Sequence, residues 1–112
     1  MQRDPQYLLD ILQSAKLIQT YLGNCDRQQF INDIQLQDSV IRRLLIIAEA
    51  ARRLSDSTRQ NFPQIEWQEI NGMRNRLVHE YENIDLNIVW DVIQIEIPDL
   101  IEQLKHHIPP QI

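Results

Sequence analysis

At 112 residues with 43% apolar side chains, the chain is long enough for one domain with a hydrophobic core, which argues against disorder. Its 16 acidic and 11 basic side chains leave a net charge of −5, which argues against nucleic-acid binding through bulk phosphate attraction and leaves only a local site for such a role. A single cysteine, Cys25, fits a reducing compartment. No basic region followed by an apolar run opens the chain, and the longest apolar run, Leu44–Ala48, is too short to span a bilayer. The expectation is therefore a soluble, cytoplasmic protein with residues 1–112 in one domain.

Two glycines and an abundance of Leu, Ile, Gln, Glu, Arg and Ala predict helices throughout. Asp4 as N-cap and Pro5 at the first helical position open the first one. Leu8, Ile11, Leu12, Ala15, Ile18 and Leu22 recur at three and four, and Gly23 stops it. Asp26 caps a short helix through Phe30 and Ile31. After Asp33 a longer helix runs roughly from Leu36 to Leu54, where Ser55-Asp56-Ser57 ends it and caps one further turn before Phe62-Pro63. Pro63 to Tyr81 reads as the next helix, entered near Ile65. Asn83 and Asp85 supply a turn and an N-cap, and the last helix spans Leu86 to about His107. Pro98 lies inside it, where a missing N–H and a ring clash predict a kink near Ile95–Ile97. Pro109-Pro110 ends the order. The fold class is all-α, a bundle of about four to five helices.

On the Leu36–Leu54 helix, Ile41, Leu44, Leu45, Ile47, Ala48 and Ala51 form a broad apolar face. Ile46 falls outside it, among Arg42, Glu49, Ala50 and Arg53. Such a residue is either a lone exposed isoleucine or part of a face that meets a second subunit, with a two-fold homodimer as the default geometry.

The stretch Met73-Arg74-Asn75-Arg76-Leu77-Val78-His79-Glu80-Tyr81 carries the candidate chemistry. Trp67, Ile70, Met73, Leu77, Val78 and Tyr81 share one helical face, with Arg74 in its middle, where it needs an anionic partner. That partner could be a neighbouring carboxylate such as Glu66 or Glu69. His79 projects to the other side, and Asn75, one turn earlier, is placed to hydrogen-bond and orient its imidazole. Arg74 and His79 lie about 140° apart on an ideal helix, so they line two walls of a groove and do not touch. Taken singly, each of these residues has a bland explanation. His106 and His107 offer too few ligands for a metal site, Cys25 lacks a histidine partner, and Arg42, Arg52 and Arg53 either add to a local anion-holding site or form a solvated face.

Arg74 through Tyr81 resembles the Arg-x4-His signature of the HEPN superfamily, extended by the x-Tyr that marks HepT-like toxins. "QDSVIRRLLIIAEAARRL" (Gln37 to Leu54) is similar to that family's long central helix. "NIDLNIVWDVIQIEIPDLIEQL" (Asn83 to Leu104) is similar to its last helix, proline included. The resemblance implies a metal-independent endoribonuclease, without cofactor, acting as the toxin of a two-gene toxin–antitoxin pair of type II/VII-like organisation. It assigns Arg74 and His79 as the catalytic pair and Asn75 as the polar position after the arginine. It also implies an MntA-like nucleotidyltransferase antitoxin that silences the toxin by adding AMP to Tyr81.

Metal-free RNA cleavage through the adjacent 2′-OH needs a base, an acid and a cation. Histidine can serve as either of the first two, and arginine grips two phosphate oxygens. One chain supplies one motif histidine, so the predicted active unit is the dimer. The alternative is a non-catalytic HEPN module that binds a nucleotidyltransferase partner, and a third reading is a plain helical dimerisation domain.

Overall fold

In the computed structural model, which describes residues 3–107 apart from the side chain of Tyr81, every regular element is helical. They are α1 (Asp4–Leu22), α2 (Arg27–Ile31), α3 (Ile34–Arg53), α4 (Asp56–Gln60), α5 (Trp67–His79), a 3₁₀ turn (Tyr81–Asn83), α6 (Leu86–Asp91), a π-helical segment (Val92–Glu96) and α7 (Ile97–Lys105). The expected stop at Pro109-Pro110 lies outside the described residues. The chain measures 41 × 32 × 20 Å, so its thinnest direction holds two helices of about 10 Å each and every rod keeps one outward face.

Most boundaries follow local capping. Asp26 and Gln29 form a reciprocal capping box, each side chain accepting a 2.8 Å bond from the other's backbone N–H. Asp33, Ser55 and Asp85 cap α3, α4 and α6 through their side-chain oxygens. Gly23 ends α1 at a φ of 52°, a conformation open to glycine, and its N–H closes on the Gln19 carbonyl.

Asp4 departs from its expected role. Arg3 occupies the N-cap position, and Asp4 sits inside the first turn, 4% exposed. Its carboxylate accepts from the Ser55 N–H at 3.2 Å and from the Ser55 and Thr58 hydroxyls at 2.5 Å each. It therefore ties the start of α1 to the start of α4, which makes α1 and α3 antiparallel. These hydroxyl bonds, Ser55's foremost, hold the Asp4 carboxyl far below the ordinary aspartate range.

The α1–α3 pair is the most extensive packing in the bundle, and α5 and α7 close over it. Ile11, Ile18, Phe30, Leu44, Ile47, Ile93 and Leu104 form its fully buried centre. Phe30 brings α2 onto α6 by packing its ring 5.6 Å from that of Trp90. Arg27 reinforces the same seam, donating to Asn87 and Asp91 at 3.0 Å each.

Several helix bounds shift, and the helix expected to reach Tyr81 ends at His79, with Tyr81 opening the 3₁₀ turn. Leu36 is preceded by one more half-turn starting at Ile34, and α5 starts at Trp67, after a turn containing Pro63, and not at Pro63 itself. The break anticipated near Ile95–Ile97 spreads over Val92–Glu96. There the Ile97 N–H bonds back to the Val92 carbonyl, five residues earlier. Widening that turn clears room before the Pro98 ring, which has no N–H to donate. No described helix is long and apolar enough to cross a membrane.

Candidate functional site

Arg74 emerges from the middle of α5, where α5 runs back along α3. Its side chain is 28% exposed, with its stem against the α3–α5 seam. The Nε–H donates to Glu49 Oε1 on α3 at 3.0 Å, and Nη1 donates to Asn75 Oδ1 at 3.2 Å. The anionic partner is thus Glu49, and neither Glu66 nor Glu69. Two of the five guanidinium N–H groups are used in this way, and Nη2 faces no described partner.

Glu49 also accepts from Arg52 Nη2 at 3.1 Å through its other oxygen. One carboxylate therefore bridges two guanidinium groups, leaving the trio with a net positive charge. The Arg52 bond, with a smaller contribution from Arg74, lowers the Glu49 carboxyl below its ordinary range against the opposing effect of burial. Beside this trio runs a shallow groove lined by Arg52, Arg59, Trp67 and Asn71. The Trp67 indole N–H is anchored to the carbonyls of Arg59 and Phe62 at 3.1 and 3.2 Å, which fixes the plane of its ring.

Among the described residues, Asn75 makes its hydrogen bond to Arg74. Its amide oxygen accepts from the guanidinium, and its amide N–H groups remain for the imidazole one turn on. His79 is exposed in the last turn of α5. Tyr81 follows two residues later as the first residue of the 3₁₀ turn, and its side chain lies outside the described residues. Arg74 and Asn75 are thus hydrogen-bonded to each other, with His79 one turn beyond Asn75 on the same helix.

Two wheel assignments need correction. Val78, placed on the apolar face by spacing, is 47% exposed because no helix covers the end of α5 there. Ala50, grouped with the polar face of α3, is 5% exposed because α1 packs over it. Ile46 is half-buried in a depression shared with Tyr7, Asp10, Arg42, Arg53 and Glu49. Glu49 therefore belongs to both this surface and the Arg74 ion pair. His106 lies 3.5 Å from Glu102, whereas the His107 ring packs edge-on against Phe62 at 5.0 Å, so the two histidines diverge. Cys25 is half-buried, and burial pushes its thiol above the ordinary range.

A family model described as ribonuclease HepT-like matches residues 11–107. A Methanocaldococcus jannaschii protein, provisionally named an RNase, is 34% identical over 99 residues, covering 88% of this chain and 91% of its own. A Caldanaerobacter subterraneus protein under the same provisional name is 35% identical over 88% of each chain. Thermococcus cleftensis has a relative named "Probable ribonuclease HepT", 33% identical over 84% of this chain and 86% of its own. No solved structure matches.

Proposed function

The chain belongs to the HepT-like ribonuclease family, and from that membership we propose that it is a metal-independent endoribonuclease whose catalytic pair is Arg74 and His79. The observation that carries the reading is the Arg74 guanidinium, fixed through Nε by Glu49 and through Nη1 by Asn75. A cation held in this way keeps N–H groups available for phosphate at no further ordering cost.

In the proposed reaction the 2′-OH attacks the adjacent phosphorus, passing its proton to one imidazole. The 5′-oxygen leaves with a proton from a second imidazole, and a 2′,3′-cyclic phosphate remains. Arg74 stabilises the negative charge that gathers on the phosphate oxygens. Each chain contributes one His79, so the reading places two chains in a two-fold homodimer around one cleft. Sharing of Glu49 between the Arg74 pair and the Ile46 depression supports an interface at that edge. The net positive trio and the Arg52–Arg59–Trp67 groove supply local attraction, and an aromatic surface for a base, on an otherwise acidic protein.

Under the same reading the protein is the toxin of a toxin–antitoxin pair, and its partner is an MntA-like nucleotidyltransferase. AMP on Tyr81, two residues past His79, would add charge and bulk beside the cleft and stop RNA from binding. The deciding experiment compares RNA cleavage in EDTA by the wild type, Arg74→Ala and His79→Ala. Loss of cleavage in both variants is the expected result, whereas equal cleavage by all three removes the pair from the mechanism. One observation favours the non-catalytic alternative, a HEPN module that only binds its nucleotidyltransferase partner: Glu49 already gives Arg74 an anionic partner without RNA. Absence of cleavage by a folded wild type would select that reading.

A further inference from the structure

Away from Arg74 and His79, the first half of α5 faces the π segment and α7 across a pocket of about 80 Å³. A single water needs about 10–15 Å³ of such space, so the pocket admits a whole apolar side chain. Its floor is made by Ile47 and Leu100, and Ile70, Met73 and Val92 stay half-buried at its mouth. Four exposed carboxylates, Glu66, Glu69, Glu96 and Asp99, ring this apolar opening. No salt bridge reaches any of the four among the described residues.

We propose that this groove docks a protein partner through a segment that presents an apolar anchor flanked by lysines or arginines. The apolar floor calls for a hydrophobic side chain, and the ring of carboxylates calls for cations around it. RNA is the wrong occupant, because its phosphates would meet four negative charges. A second copy is disfavoured too: an isologous contact would set eight carboxylates face to face, in a chain already at −5. Arg76 is the cation whose charge reaches Glu96 from α5, but Glu69 and Glu66 outweigh it. Partial burial at the pocket rim first, and then Glu69 and Glu66, push the Glu96 carboxyl above its ordinary range. This inference goes beyond the ribonuclease reading and stands or falls separately from it.

The test uses a fluorescein-labelled helical peptide with leucines one turn apart, flanked by lysine and arginine, and the full-length protein labelled with nitrogen-15. Backbone amide shifts on titration are expected to centre on Ile70, Met73, Val92 and Leu100. Anisotropy should show binding weakened about tenfold by the combined Glu66→Gln, Glu69→Gln, Glu96→Gln and Asp99→Asn variant, and similarly by salt. Exchanging the peptide's leucines for serine, or its basic residues for glutamate, should abolish binding. The shift map needs no variant, so a misfolded quadruple variant would leave the test intact. Shifts centred elsewhere, equal binding of the acidic peptide, shifts at the same residues with an RNA oligonucleotide, or the same shifts on concentrating the protein alone would each overturn the proposal.

Discussion

Glu49 and Arg74 meet across the α3–α5 seam at 3.0 Å, and the same carboxylate holds Arg52 through its other oxygen. The pair is partly exposed, so its worth to stability is modest, about 0.2–1 kcal/mol in a double-mutant cycle of Glu49→Ala with Arg74→Ala. Its carboxyl is lowered in the folded state, so the coupling is fully present above the ordinary value of 4.5 and fades as pH falls through the lower folded value. Urea midpoints measured between pH 3 and 7 check this, and a coupling that grows on acidification would contradict it. Glu49→Gln should keep the protein folded while lowering RNA cleavage, because Arg74 loses its charged anchor.

Asn75→Ala tests whether the amide serves Arg74. Cleavage should fall roughly 10- to 100-fold from a loosened guanidinium, with thermal stability unchanged. Asn75→Asp keeps an acceptor at the same place and should recover part of the rate. Equal losses in both variants would argue for a role other than accepting from Arg74.

Asp4→Asn should lower the melting temperature by several degrees while leaving cleavage per folded molecule intact, since Asp4 bonds to Ser55 and Thr58 and to neither Arg74 nor its partners Glu49 and Asn75. The wild-type contribution is present above the ordinary aspartate value of 3.8 and is lost only as pH drops through the much lower folded value. Acid unfolding followed by circular dichroism should therefore begin at a higher pH in the variant than in the wild type.

Phe30→Ala removes a fully buried ring that holds α2 against Trp90. A loss of about 3–5 kcal/mol is expected, together with a changed Trp90 emission. Trp67 emission should be largely unaffected in the folded variant, because its indole is anchored separately.

Ile46→Arg probes the proposed two-fold interface. If the depression around Ile46 meets its symmetry mate, sedimentation should shift from dimer to monomer, and cleavage should fall about tenfold or more with it. An active monomer would refute the composite site.

What could be read from the sequence was what depends on near neighbours. Asp26, Asp33, Ser55 and Asp85 act within three residues of themselves, and their roles as caps follow from that reach. Asp4 obeys the same capping preference, yet its partners lie 51 and 54 residues on, where half-buried hydroxyls outcompete its own helix. Arg74 was legible as a cation in need of an anion. Spacing pointed to Glu66 and Glu69 on its own helix, whereas the answer stands 25 residues away on α3. Helical periodicity likewise tells which residues share a face but not how far the neighbouring rod extends. That is why Val78 ends up in solvent and Ala50 under α1.

The widened turn at Val92–Glu96 carries one residue more than a regular helix would place there. Val89, Ile93 and Ile97 are all buried, although two successive steps of four on a regular α-helix would carry Ile97 about 80° past Val89. The π turns absorb that drift and hand α7 on in phase with the core. Gln94, Ile95 and Glu96 are exposed, so their identities are free to vary without disturbing the packing. Removing one of these exposed residues would leave seven steps from Val89 to Ile97, within about 20° of two regular turns, so α7 would keep its phase and only the room before the Pro98 ring would be lost. Substitutions at Gln94, Ile95 and Glu96 should therefore be tolerated, and an added residue, which would turn Ile97, Leu100 and Leu104 about 100° from the core they fill, should not.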